Sequence, residues 1–412
     1  MSEIADFGTI VLVVAAGFAL ALVSTRVTDH VPVPAPVIFL LAAAAASDIW
    51  PALYSEVPVE TVVRIAVVAL IVILFSGGMD IGWRRFRSAA VPVLLLGIAG
   101  TFVTAGIVAV VAHYALGFGW LLSGLLGSAL APTDPAVVFA VLGGRGIAGR
   151  SGVTLEGEAG VNDPAGIALM LGLIQLATHH GSSFVVVIRE FAVEMSVGTA
   201  AGLIGAALLI PLLRRLRATS VALYPVLALV IAAALYGATS VAHGSGFLAV
   251  FIAGLIVGHV PVPAQPEIES FHRSLATLAE LAVFVALGLT VRVTAIDAKV
   301  WLEGVAIALV LAGVARPTAT FALLAPAGFS RSELLFITWS GLKGAVPILL
   351  AAFALLAGVD EGTHIYEVVF VVVLISVVGQ GTFVPFMARR LRIAMEPRQP
   401  LLATPRERAA HS

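Results

Sequence analysis

The sequence predicts an all-α polytopic membrane protein of about thirteen transmembrane helices, two of them discontinuous. Three observations predict it. Of 412 residues, 60% are hydrophobic and only 11% are charged, far outside soluble usage, and the mean hydropathy is +1.08. The apolar residues come in long unbroken runs rather than in the ten-residue alternation of a membrane barrel. Arginine and lysine fall in alternate connections between the runs. The net charge of −1 singles out no partner, and nucleic acid is not expected among them. The absence of cysteine excludes disulfide scaffolds and cysteine-ligated zinc or iron–sulfur sites, and no cofactor is expected.

At roughly 20 apolar residues per crossing, the runs cover residues 7–25, 33–49, 60–79, 89–115, 119–142, 155–178, 187–212, 219–242, 245–261, 271–290, 299–324, 332–357 and 363–388. The start, MSEIADFG, is acidic and lacks a basic region and a small-residue cleavage site, so the run at 7–25 is expected to stay as a helix. Connections after odd-numbered runs, with the C-terminal flank, hold Arg26, Arg84, Arg85, Arg87, Arg145, Arg150, Arg214, Arg215, Arg217, Arg273, Arg331, Arg389, Arg390 and Arg392. Those after even-numbered runs hold Arg189, Arg292 and Lys299. This 14 to 3 split predicts an odd number of crossings, with the N-terminus outside and the C-terminus in the cytoplasm. Residues 1–392 form one transmembrane domain in this reading, and 393–412 a short polar tail without fixed structure.

Two of the runs are interrupted. In LLGSALAPTDPAVVFAVL, Pro132 and Pro135 bracket Thr133 and Asp134, each removing a backbone donor, so the helix is expected to break at Asp134. In TWSGLKGAVPILLA, Gly341, Gly344 and Pro347 do the same around Lys343. One interrupted segment in each half of a chain points to a transport site, where half-helix ends and unwound carbonyls meet near the midplane. An internal inverted repeat is inferred on that ground alone, since no residue-level repeat is visible.

A charge at the bilayer centre costs roughly 2.5 to 3.5 kcal/mol on insertion scales. Asp134, Glu158, Asp163, Arg316 and Lys343 are therefore expected to face a cavity or a partner. On a helix, Glu158 and Asn162 share a face, and Asp163 sits about 100° further round. Arg316, the deepest arginine, is the natural partner of Glu158, and the pair is read as architecture. Asp163 and Asp134 have no evident spare cation. Desolvation favours a protonated carboxyl and a bound cation favours the bare one, so proton and cation compete for the same oxygens, which is the chemistry of exchange.

LEGEAGVNDPAGIAL resembles the Asn-Asp signature of the NhaP-type monovalent cation/proton antiporters, within the sodium/proton exchanger superfamily. ALAPTDPAVVFAVL is similar to the TDP motif on their fifth helix, ARPTATF to their arginine-bearing helix, and WSGLKGAVPILLA to their GLRGA segment. FLAVFIAGLIVGH and GQGTFVP resemble further family stretches, and the ARP, GAVPILLA and NDP details lie nearest the bacterial potassium/proton branch. The resemblance implies the inverted-repeat antiporter fold, a homodimer formed by one bundle, and a core bundle that moves like an elevator. It implies Asp163 as principal ion and proton carrier beside Asn162, with Thr133 and Asp134 coordinating an alkali cation and Glu158 with Arg316 as structural ion pair. Lys343 and Ser76 take supporting positions. Two expected oxygen ligands are altered, by Ser76 in LFSGGMD and by Ala159, and Lys343 stands where the family carries arginine. Sodium and potassium both stay open, with fewer hard oxygens favouring potassium; Asn162 beside Asp163, in place of a second acid, points to electroneutral one-for-one exchange.

Elsewhere, Asp80 and Glu56 lie near segment ends and are read as solvated or snorkelling, while Glu194 and Glu280 fall in apolar segments and line a funnel or pack at the interface. His243, His259 and His272 are placed at helix ends without metal-ligand spacing, and His113, His179 and His180 on the outer side as possible pH sensors. The competing readings are an intramembrane aspartyl protease, which also uses two embedded aspartates but whose GxGD context is absent, and a cation channel, which needs no titrating carboxylate.

Overall fold

The computed structural model describes residues 34–50, 57–142, 145–179, 183–215 and 220–396. The run expected at 7–25, Arg26, Glu56, His180, Arg217 and residues 397–412 lie outside the described residues.

The chain forms α1 (Ala35–Ile49), α2 (Val59–Ser88), α3 (Ala90–Leu116), α4 (Trp120–Leu130), α5 (Pro135–Val141), α6 (Gly149–Thr178) and α7 (Phe184–Arg215). It continues with α8 (Leu223–Val241), α9 (Gly246–Val257), α10 (Gln265–Leu289), α11 (Ala298–Ala327), α12 (Arg331–Trp339), α13 (Ala345–Leu356), α14 (Gly362–Gly381) and α15 (Val384–Arg390). Eight of these spans are long and apolar enough to cross a membrane, and α4 with α5, bent by 43°, makes a ninth. The chain is a multi-pass membrane protein. The shorter apolar helices α1, α9 and α13 pack among them. Helix ends follow the expected chemistry: α2 carries Glu60 in its first turn and Arg85 and Arg87 in its last, complementing the helix dipole.

Two bundles result. Helices α1, α2 and α7 to α10 pack on one another, as do α3 to α6 with α11 to α15. α6 joins the two, resting against both α2 and α7. Val368 to Val373 of α14 are buried all round, as befits a helix at the centre of its bundle.

A feature without sequence signature recurs three times. α3, α11 and α14 each contain a π turn, at Leu95–Gly100, Leu311–Ala315 and Ser376–Gly381. The extra residue per turn rotates everything beyond it and loosens the backbone ladder locally. Both halves thus present a span with a π turn followed by a broken span, α3 then α4/α5, and α11 then α12/α13. The two halves share this succession although no repeat is visible in their residues.

After α15 the chain folds back, and Met395–Glu396 pairs antiparallel with Gly146–Ile147 just before α6. The expected tail therefore begins with ordered residues.

Two solvated or terminal placements are corrected. Asp80 lies within α2 and pairs with Arg273 of α10 at 2.5 Å, because two half-buried charges on neighbouring helices satisfy one another. His272 sits in the interior of α10, fully buried, with its Nδ1 2.8 Å from the Ile268 carbonyl.

Candidate functional site

The site grows from the two helix breaks. α4 stops at Leu130, and Pro132 and Pro135 leave the intervening backbone without helical partners. Asp134 caps α5, its Oδ1 accepting from the Ala136 N–H at 2.9 Å. In the second break α12 stops at Trp339 and α13 starts at Ala345. The two breaks satisfy each other: the Asp134 N–H donates to the Leu342 carbonyl at 2.8 Å, and Lys343 Nζ donates to the Ala131 and Pro132 carbonyls, both at 3.0 Å. A third tie fixes Lys343 to the π turn of α14, its N–H donating to Ser376 Oγ at 3.0 Å. The ammonium thus sits at the carbonyl end of α4, where helix carbonyls lack partners and the dipole is negative.

Glycine is required at the crossing by space. A Cβ on Gly344 would fall on the Asp134 carboxylate, and one on Gly341 would fall on the Arg316 guanidinium.

Helix α6 supplies the rest. Glu158 and Asn162, one turn apart, face the first break together: Asn162 Nδ2 donates to Thr133 Oγ1 at 2.8 Å, and Thr133 Oγ1 reaches Glu158 Oε1 at 3.5 Å. Glu158 takes both terminal nitrogens of Arg316, Nη1 on Oε1 and Nη2 on Oε2, the latter at 2.7 Å. Glu158 is 1% exposed and Arg316 4%. Arg316 is delivered there by the π turn that ends at Ala315.

Asp163 points elsewhere. With Asp134 it lines a cavity of about 50 Å³ between the bundles, walled by Ala66, Leu70 and Ile73 of α2, by Val283 and Phe284 of α10, and by residues of α13. Asp163 is 7% exposed, and its Oδ1 has no hydrogen-bond partner among the described residues. No arginine, lysine or histidine lines the cavity. A carboxylate held in that way is stabilised by a proton or by a cation. A larger crevice of about 290 Å³ beside Arg316 and Lys343 is mostly apolar and carries no acid among the described residues.

The sequence-derived residues thus divide. Thr133, Asp134, Glu158, Asn162, Asp163, Arg316 and Lys343 come together at the crossing. Ser76 and Ala159 are buried but do not line the cavity. Ala66, Leu70 and Ile73 form one stripe of α2 whose next position is 77, and Ser76 falls on the neighbouring stripe. Sequence reasoning took Gly341 and Gly344 for helix breakers and missed that they make room for charged groups. It also missed the carbonyl targets of Lys343, which lie more than two hundred residues away.

Comparison with known proteins gives the family and the fold. Residues 7–390 match the family described as sodium/hydrogen exchanger, transmembrane. The chain is 35% identical over 385 residues to the K(+)/H(+) antiporter NhaP of Alkalimonas amylolytica, covering 93% of this chain and 67% of that protein. It is 31% identical to the K(+)/H(+) antiporter NhaP2 of Shewanella sp. (strain ANA-3), over 92% of this chain and 66% of the other. The low-affinity Na(+)/H(+) antiporter NhaS1 of Synechocystis sp. is 25% identical over 77% of this chain and 63% of its own length. The chain spans about two thirds of the length of these relatives. The fold is that of the sodium proton antiporter MjNhaP1 from Methanocaldococcus jannaschii at pH 8, with a TM-score of 0.79 at 21% identity over 94% of this chain and 99% of that one.

Proposed function

The chain belongs to the transmembrane sodium/hydrogen exchanger family, and from that premise we propose that it is a secondary transporter exchanging a monovalent cation for a proton. Asp163 carries either passenger, with Asp134 and the Thr133 and Asn162 oxygens completing the cation's surroundings. The observation that carries this reading is the Asp163 carboxylate, whose Oδ1 has no hydrogen-bond partner, in a cavity whose lining among the described residues holds acids but no basic group. If only occupied states change sides, competition at this carboxyl couples the two fluxes. Exchange is one for one and electroneutral, because Asn162, the neighbour of Asp163, adds no second charge to be neutralised. Potassium is the favoured cation, since relatives from Alkalimonas and Shewanella are named potassium/proton antiporters.

In this reading the bundle of α3 to α6 with α11 to α15 moves against the other, which forms a homodimer. The protein lies in the plasma membrane with its N-terminus outside, its C-terminus in the cytoplasm, and Glu158 with Arg316 holding the moving bundle rigid.

The test is purified protein in liposomes that trap a pH dye. External potassium or sodium is expected to alkalinise the lumen at a rate independent of imposed membrane potential, with the cation KM rising as pH falls. Asp163→Asn is expected to abolish this while the protein stays folded. Current without obligatory proton movement would establish a channel, peptide cleavage without flux a protease, and a KM indifferent to pH would remove the shared carboxyl.

A further inference from the structure

The cavity has a third acid that the exchange mechanism above does not use. Glu280 comes from α10, in the bundle opposite to the one that carries Asp134 and Asp163, and it lines the same cavity. The remaining lining residues are apolar: three from α2, Ala136, Val283, Phe284 and three from α13. Among the described residues, Asp134, Asp163 and Glu280 are therefore its only charged walls.

We propose that Glu280 is a third ion-site carboxylate, which receives the incoming monovalent cation from the opposite bundle and holds it facing Asp163. This rests on the antiporter reading. Three features carry it. The cavity, at about 50 Å³, exceeds the roughly 10 to 15 Å³ that one water needs, so it admits a cation with part of its hydration shell. Asp163, more than nine-tenths buried, leaves Oδ1 without a partner in this cavity, so the space is arranged for a positively charged occupant. Glu280, half-buried in the stretch LAELAVF of α10, is the one charged residue of that stretch and stands in the cavity wall.

The placement has a functional consequence. Asp134 and Asp163 travel together on one bundle, whereas Glu280 stays with the other. An ion bridging Glu280 and Asp163 is held by both bundles at once, and it is released from Glu280 only when Asp163 alone carries it. Glu280 thus acts on loading. Its loss weakens cation capture more than it slows the saturated carrier.

The experiment measures cation-dependent proton flux in proteoliposomes of the wild type, Glu280→Gln, Glu280→Asp and Asp163→Asn. Removing one full charge from a shared cavity is expected to raise the potassium KM of Glu280→Gln by about five- to tenfold, with a smaller fall in maximal rate. Glu280→Asp is expected to recover most of the affinity. Potassium KM values equal to wild type in Glu280→Gln would overturn the proposal. A second measurement needs no variant: in wild-type protein, dicyclohexylcarbodiimide labelling of Glu280, followed by peptide mass, is expected to slow when potassium is present. Labelling indifferent to potassium would also overturn it. If the wild type shows flux that Asp163→Asn abolishes, a negative result at Glu280 leaves the antiporter reading standing; absence of flux in the wild type removes that reading itself.

Discussion

Removing the Glu158 carboxylate tests the architecture most directly. Glu158 and Arg316 are 1% and 4% exposed, and both carboxylate oxygens are taken by Arg316 nitrogens. Glu158→Ala deletes two charge-assisted hydrogen bonds, worth about 1.5 to 3 kcal/mol each. It also strands a guanidinium whose remaining hydrogen bond among the described residues is one long contact, 3.4 Å, to the Ile337 carbonyl. The two bonds together amount to roughly 3 to 6 kcal/mol, a range that overlaps the roughly 3 to 5 kcal/mol usual for an orphaned buried charge. Melting followed by tryptophan fluorescence in detergent is expected to drop by roughly 5 °C or more. Asp134→Asn is the comparison: asparagine caps a helix about as well as aspartate, so the tie from Ala136 survives and melting moves little. Removing both charges, with Glu158→Leu and Arg316→Met, is expected to recover much of the loss, because the double variant strands nothing. If Glu158→Ala and Asp134→Asn melt alike, the pair does not hold the fold and the reasoning fails.

Other outcomes follow from the crossing. Gly344→Ala is expected to abolish cation-dependent proton flux, since the new methyl displaces the Asp134 carboxylate, whereas Gly106→Ala, which meets no atom within 4 Å, keeps it. Lys343→Met leaves two carbonyls without donors, at about 1 to 3 kcal/mol each, so it is expected to melt lower and lose flux, and Lys343→Arg to retain part of both; equal melting of Met and Lys would free the ammonium from its structural part. Ser76→Asp is expected to leave the sodium-to-potassium ratio of KM values unchanged, because that position does not line the cavity; a shifted ratio would place Ser76 at the ion.

What the sequence disclosed was what the local backbone and the cost of charge dictate. Pro132, Pro135, Gly341 and Gly344 marked both breaks because proline and glycine act on their own backbone. Glu158 and Arg316 could be matched because a buried acid needs a cation and one arginine lay deep. Partnerships between distant segments were silent: nothing local to Lys343 names the carbonyls of Ala131 and Pro132, and nothing local to Asp80 names Arg273. The π turns were silent too, since a shift from four-residue to five-residue bonding changes no residue pattern. Ser76 is buried beside the cavity without lining it, because a motif position fixes neighbourhood, while one step round a helix decides which side chain reaches the cavity.

The ammonium of Lys343 has a wider consequence. Exposed carbonyls at a helix interruption are good ligands for an alkali ion, and here two of them are already claimed by a cation tethered to the chain. In the proposed mechanism a diffusing ion is thereby denied them, and its charge is left to be balanced by carboxylates, which bind protons as well. By plugging its own carbonyl cage, the protein makes its cargo lean on the kind of ligand that acidity can take away.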